Sequence, residues 1–595
     1  MELVMTETTY EIGAWDLSEL FTDFDAPEVQ ATLDDIEQGV ASFESKRDQL
    51  DPSLDLDVFV GLLDEYEAIE RSLDRLLAYA IMKVSEDTQN QRAHSFRAKM
   101  QQLAAEVENR RLFFKLWWKK LPAEAADPLL SSAGDYRYWL EALRLQTPYT
   151  LSEPEEKIIN IKDVNGPSAI ARLYESMTYG YGFEMEVDGE TRELTRGELA
   201  PFITGAEADM RAKAYQSMHQ VFTEDADVLG MMYQFIARDW FSEAVQLRGY
   251  TSPISVRNLA NDIPDAVVDS LLDVCRQNAG LFQSYFRQKA NLLGMEKLRR
   301  YDLYAPTSQA DVDYPYSEAV DLVFDSYREF SPEIAELAQR VLDENHVDSE
   351  IRKGKQTGAY CMTVTPDLTP FVLASYQGKA RDVATIAHEL GHAVHSLLAS
   401  GHTTLTQSSS LPLAETASTF GEMLVVDRLL AQDPSPEIQR DILVRQLDDN
   451  YATIMRQAYF ALFERDAHDA IQGGASVDDL SDLYLENLQD QYGDSIDLSE
   501  DFRVEWIEIP HIYRSPFYVY AYAFGQLLVL SLYQRYQQEG DPFKPAYLDI
   551  LRAGGSAAPM EVLDRAGVDI RQSSFWQGGF DVLQSIVDRL SGLGE

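Results

Sequence analysis

Apolar residues recur every three or four positions over long stretches of this chain, the pattern of helices that bury one face. Leu62, Leu63, Tyr66, Ile69, Leu73 and Leu76 carry it through 54–84, residues 89–118 continue it, and 127–143 form a shorter run. Ser152, with Glu155 three positions later, predicts a capped helix start. The longest apolar passage, 518–533, is interrupted by Gly525, Gln526 and Ser531, which predicts a buried helix and no membrane span. Alternation is rare. Phe183–Val187, the Asp188-Gly189 pair and the residues after it predict a β-hairpin. Two short candidate strands, 359–364 and 371–376, precede another helical run at 384–398. The pattern predicts a mainly α fold with one small sheet beside that last helix. Breaks near Pro148–Pro154 and Gly197–Pro201 are candidate boundaries; the expected division is an N-terminal helical region 1–115, a second helical segment with the hairpin 116–200, and 201–595.

Charge changes this picture. The 99 acidic against 51 basic residues give a net charge of −48, spread along the whole chain. Repulsion disfavours nucleic acid and anionic membranes as partners. Arg outnumbers Lys by about two to one. A dense acidic surface poor in lysine suits a protein kept hydrated at high salt, so a halophilic, cytoplasmic setting is expected. Two cysteines, Cys275 and Cys361, are no disulfide framework. The first twenty residues lack a basic region followed by an apolar run, so no signal peptide is expected.

The chemistry concentrates in Ala384-Thr-Ile-Ala-His388-Glu389-Leu390-Gly391-His392-Ala-Val-His395. On a helix, His388 and His392 lie one turn apart on one face and can share a metal ion. Glu389 sits beside the first imidazole, where it can take the proton of an attacking, metal-activated water. A catalytic zinc needs a third ligand. The position ten residues after His388 is Leu398, and His395 lies about two turns along the axis, so it is expected to support or pack. The segment Leu411-Pro-Leu-Ala-Glu415-Thr-Ala-Ser is expected as a following helix, with Pro412 in its first turn and Glu415 as the ligand. Ala414, Ala417 and Ser418 would permit a close crossing. Glu422 is a candidate partner for the other nitrogen of a ligand histidine.

The flanks Asp382-Val-Ala-Thr-Ile-Ala-His-Glu-Leu-Gly-His-Ala-Val-His and Ala414-Glu-Thr-Ala-Ser-Thr-Phe resemble oligoendopeptidase F, within the thimet oligopeptidase family of zinc peptidases. Residues 354–361 and 371–378 also look like family segments, and Trp15-Asp-Leu-Ser-Glu-Leu-Phe looks like its opening. The resemblance implies a bi-lobed helical zincin shell around a deep substrate channel. It implies 116–200 as an oligoendopeptidase F N-terminal-type domain, 201–595 as the catalytic domain, one Zn2+ per chain, and endopeptidase action on short peptides.

Between Ile509 and Gly525 lies a stretch rich in hydrogen-bond donors: His511, Tyr513, Arg514, Tyr518, Tyr520 and Tyr522. Tyr518 and Tyr522, one helical turn apart, can face the same cleft. The resemblance implies His511 and Tyr522, then Tyr518, as contacts to substrate and oxyanion, and Tyr520 reads as structural. The Gly354–Gly358 stretch reads equally as a loop closing over a peptide or as a plain turn. The 371–376 strand could pair with an extended substrate. Cys361 reads as a buried small hydrophobe. Two rival functions stay open: an exopeptidase, with Arg514 clamping a terminal carboxylate, and a catalytically silent peptide-binding shell.

Overall fold

The computed structural model describes residues 9–307, 312–432 and 435–593. The reading of the N-terminus falls partly on 1–8, outside those residues. Helices dominate, and strands are short and few. The chain forms two compact units that interleave in sequence: 1–147, 311–432 and 535–568 in the first; 148–310, 433–534 and 569–595 in the second. The break at Pro148 coincides with one change of unit. The boundaries expected at 115/116 and 200/201 fall inside helices Gln91–Lys120 and Arg196–Ile203.

In the first unit, the long apolar patterns become helices Leu56–Glu86 and Gln91–Lys120, packed with Pro27–Ser45. Asp55 starts the first of these by accepting the backbone N–H groups of Asp57 (2.9 Å) and Val58 (3.3 Å). Their buried faces meet in one apolar cluster containing Phe43, Phe59, Phe114 and Trp118, and it extends to Phe371 and Leu373. The run expected over 127–143 is two helices, Ala123–Ser132 and Arg137–Leu145. Gly134 stands between them at φ 55°, a conformation that ends a right-handed helix.

A three-stranded sheet joins Val347–Asp348, Phe371–Leu373 and Tyr360–Met362, with Phe371–Leu373 in the centre. Both edges of that central strand are therefore paired, the first parallel and the second antiparallel. Substrate cannot pair with it, contrary to expectation; among the described residues the far edges of both outer strands, Val347–Asp348 and Tyr360–Met362, have no strand partner. The Gly354–Gly358 loop is tied down. Thr88 donates its N–H (2.7 Å) and its hydroxyl (2.8 Å) to the Gly354 carbonyl, and Gln356 N–H donates to Ser85 O at 2.9 Å.

In the second unit, Phe183–Val187 and Glu190–Leu194 form the expected hairpin, with Val187 opposite Glu190. Asp188 and Gly189 turn it at φ 55° and 80°, as a two-residue hairpin loop requires. Ser152 and Glu155 form the capping box of helix Glu153–Asn165. A parallel pair, Leu298–Arg299 with Ile496–Asp497, was invisible in the sequence because two residues carry no period. Buried ion pairs brace the interior: Arg211–Asp302 at 2.9 Å, Arg300–Glu505 at 2.5 Å and Lys289–Asp448 at 2.6 Å.

The charge excess of −48 remains to be screened by solvent ions. Raising KCl from about 0.1 M to about 2 M is expected to raise the melting temperature by more than ~5 °C and to raise activity with it. A flat or falling melting curve across that range would remove the high-salt reading.

Candidate metal centre

Residues Ala380–Leu398 form one helix. Asp382 starts it by accepting the N–H groups of Gln377 (2.8 Å) and Lys379 (3.0 Å), across Gly378 at φ 84°. Val383, Ile386, Leu390, Val394 and Leu397 anchor it in the interior of the first unit. His388 and His392 share a face, with ring centres 5.0 Å apart.

Gly391 lies where the next segment crosses. A Cβ there would stand 2.6 Å from both the Ala417 carbonyl oxygen and Ser418 Cα. That approach sets Glu415 over the two imidazoles: its Oε2 is 3.3 Å from His388 Nε2 and 3.4 Å from His392 Nε2. Glu415 is not on a helix, contrary to the expectation from the sequence. Pro412 opens a 3-10 turn, Leu411–Leu413, the chain turns again through 414–417, and the helix proper is Ser418–Gln432. The Ser418 hydroxyl donates to the Glu415 carboxylate at 2.6 Å and orients it. Glu422, one turn into that helix, is 3.3 Å from His388 Nδ1.

The donor set fits a metal ion. His388, His392 and Glu415 each offer a ligand atom, and these atoms lie within 4.8 Å of one another. Two donors bonded at about 2.05 Å to a tetrahedral ion stand roughly 3.3 Å apart. The observed 3.3 and 3.4 Å have that value, and exceed the ~2.8 Å of a charge-assisted hydrogen bond. The electrostatics agree. Burial alone would lower the His388 imidazole, but Glu415 and Glu422 on its two nitrogens hold it at about 10. Burial would raise Glu415, but His388 and His392 hold it at about 2. A place that retains a proton so firmly between carboxylates attracts any cation.

Glu389 is 7% exposed. Burial raises its carboxyl to about 7, with the His388 charge opposing and the Glu415 charge adding. It lines a cavity of about 400 Å³ together with both histidines, Cys361, His395 and the loop Gln407–Ser409. His395 is buried, and its Nε2 has no partner among the described residues. Burial pushes the Cys361 thiol well up, which keeps it protonated. A second grouping, Asp163, Asp239 and Glu243, is all carboxylate, and Lys162 and Arg248 pair with two of its members.

In the second unit, His511, Tyr518 and Tyr522 converge. Tyr522 Oη is 3.5 Å from His511 Nε2, and the tyrosine rings are 5.4 Å apart and nearly perpendicular. Tyr518 and Tyr522 do not share a helix, contrary to expectation. His511 belongs to the short helix Pro510–Arg514, Tyr518 lies in a turn, and Tyr522 is in helix Tyr520–Glu539. Phe517, at φ 58°, breaks the helical path before Tyr518. Tyr520 is buried and takes a hydrogen bond from Asn261 at 2.8 Å, a structural role. Arg514 pairs with Glu175 and donates to Tyr179 Oη at 2.5 Å.

The profile of Peptidase family M3 matches residues 204–582, and that of Oligopeptidase F matches 117–180. The chain belongs to peptidase family M3. It is an oligoendopeptidase F-like metalloendopeptidase, an enzyme that hydrolyses oligopeptides. Group B oligopeptidase PepB of Streptococcus agalactiae is 27% identical over 533 residues, covering 88% of each chain. An oligoendopeptidase F homolog of Lactococcus lactis is 26% identical over 593 residues, 98% of this chain and 97% of its own. A solved structure of a Chlamydophila abortus chain assigned as a peptidase superposes with a TM-score of 0.87 at 26% identity, over 98% of this chain and all of that one.

Sequence reading of this M3 peptidase missed the cavity wall Gln407–Ser409 and the residues that hold it. Polar residues in a loop show no period, so only their fold neighbours reveal them. Among the described residues, no helix is long and apolar enough to cross a membrane.

Proposed function

We propose that this M3 peptidase is a zinc-dependent endopeptidase of short oligopeptides in the cytosol. His388 Nε2, His392 Nε2 and a Glu415 carboxylate oxygen hold one ion per chain, and Glu389 is the general base. The carrying observation is the pair of separations, 3.3 and 3.4 Å, between the Glu415 oxygen and the two imidazole nitrogens. Two imidazoles and one carboxylate form a three-ligand set that leaves a position open for substrate, and thiolates are absent from it. When bound, a divalent ion acidifies water and polarises a peptide carbonyl.

The chain's own groups do the rest. Glu389 takes the proton of the attacking water on its carboxylate and returns it to the departing amine. A carboxyl poised near 7 serves both steps. Glu422 accepts a hydrogen bond from His388 Nδ1–H, which fixes the tautomer whose Nε2 carries no proton and can bind metal. The free edge of Tyr360–Met362, beside Glu389, suits an extended peptide adding as a strand.

His511, Tyr518 and Tyr522 are proposed to hold substrate and the developing oxyanion. Burial, then the charges of Arg514 and Arg456, lower the His511 imidazole and keep it a neutral donor. Arg514 is occupied by Glu175 and Tyr179, which disfavours it as a carboxylate clamp and so disfavours the exopeptidase reading.

The test is a quenched peptide of about ten residues, capped at both ends, in high salt. Cleavage is expected, with a loss of at least about 10³-fold on chelation and a lower melting temperature for the stripped protein. Cleavage of uncapped peptides only would indicate an exopeptidase. Binding without cleavage would indicate a silent shell.

A further inference from the structure

The loop after the metal helix is held by an arrangement that demands a charged histidine. His402 Nδ1 is 2.7 Å from Asp135 Oδ1, and its Nε2 is 2.8 Å from the Arg552 carbonyl oxygen. Both partners can only accept, so both ring nitrogens must donate, which only the imidazolium does. Asp135 also accepts Thr403 N–H (2.8 Å) and the Thr406 hydroxyl (2.6 Å). Glu67 accepts Thr404 N–H at 2.9 Å.

On its other side, Thr406 O accepts Gly555 N–H at 2.8 Å. The bend at Gly554 and Gly555 lets the loop sit directly on it. A Cβ at those positions would stand 2.3 Å from Gln407 O and 2.2 Å from Ser408 O. The same loop supplies Gln407, Ser408 and Ser409 to the wall of the cavity that holds Glu389, His388 and His392.

We propose that His402 is a positioning residue for peptide hydrolysis: clamped as an imidazolium between Asp135 and the Arg552 carbonyl, it fixes the 403–409 loop as the wall on which the substrate peptide rests. The proposal rests on the metal centre being the catalytic site.

The charges around His402 point one way. Asp135 faces it directly, and Glu67 and Asp64, on helix Leu56–Glu86, share the Tyr136 hydroxyl next to Asp135. The Arg552 guanidinium is turned to Glu333 and Asp549. The Asp135 hydrogen bond raises the His402 imidazole above its ordinary value, against the cost of burial. A raised histidine contributes its full stabilisation below the ordinary value of about 6.5 and loses it as pH rises through the folded value. The clamp therefore loosens on the alkaline side.

Amide exchange of the 403–409 segment, read by mass spectrometry on the metal-loaded protein without substrate, tests this independently of the base assignment. After correction for chemical exchange, protection is expected to fall about tenfold or more between pH ~6 and pH ~9. His402→Gln and Asp135→Asn should show the low-protection value at both pH values. Each removes the ion pair from one side, so a folding failure of one leaves the other as a test. At pH ~6 both should raise KM about tenfold, with kcat changed less than about threefold. Unchanged protection in folded variants, equal protection at the two pH values in the native protein, or a loosened loop with unchanged KM would each overturn the proposal.

Discussion

Glu389→Gln is expected to lower kcat by about 10³-fold or more while metal content and fold remain. Gln keeps the shape of Glu, so the cavity of about 400 Å³ and the neighbouring imidazoles are undisturbed. It cannot take a proton from water, so the chemical step loses its base. Stability should not fall, because the native carboxyl is 7% exposed and its charged form is penalised by burial. KM should stay within about threefold, since ground-state contacts are kept. Steady-state kinetics with metal analysis of the same preparation reads all of this. Full activity in a metal-loaded Gln variant would end the assignment of Glu389 as base.

Gly391→Val is expected to cost about 2–3 kcal/mol of stability, with bound metal lost in proportion. The reason is contact with backbone. Even one methyl at this position would meet the Ala417 carbonyl oxygen and Ser418 Cα at 2.6 Å, and neither can swing aside as a side chain could. The metal helix and the helix Ser418–Gln432 must separate, and that moves Glu415 away from His388 and His392. We expect metal affinity to fall more than tenfold and kcat/KM more than about 10²-fold. Gly391→Ala should fall between native and Val. Gly401→Ala is the control, because a Cβ there meets nothing within 4 Å. Calorimetry and metal titration of the three variants decide it. A Val variant that binds metal normally would show that the crossing has room to spare.

These two positions lie two residues apart in the same five-residue stretch, yet the sequence treats them differently. The proposed role of Glu389 follows from its neighbours on one helix, because a helical turn is a fixed geometry that any reader of the chain can apply. The need for glycine at 391 depends on which segment crosses there. Small residues at Ala414, Ala417 and Ser418 hinted at a close crossing, but not at which glycine it would meet. The same limit explains Glu415. Its candidacy as third ligand came from the ligand count a catalytic metal requires, and its carboxylate oxygen stands 3.3 and 3.4 Å from the two imidazole nitrogens. Its turn conformation was not, because Pro412 fits a 3-10 turn as readily as the first turn of a helix.

What the chain alone determined, then, is whatever repeats at short range: the helices Leu56–Glu86 and Gln91–Lys120, the hairpin turned at Asp188-Gly189, and the His388–Glu389–His392 constellation. Each is set by local periodicity or by dihedral preference, and neither needs a partner to be recognised. Tertiary structure alone decided the central place of Phe371–Leu373, the turn at Phe517 that gathers His511, Tyr518 and Tyr522, and the clamp of His402 between Asp135 and Arg552. Those contacts depend on the packed fold whether their residues are 11 positions apart, as His511 and Tyr522 are, or 267, as Asp135 and His402 are. Their energy comes from burial and pairing that exist only once each unit has folded, and no spacing in the sequence encodes it.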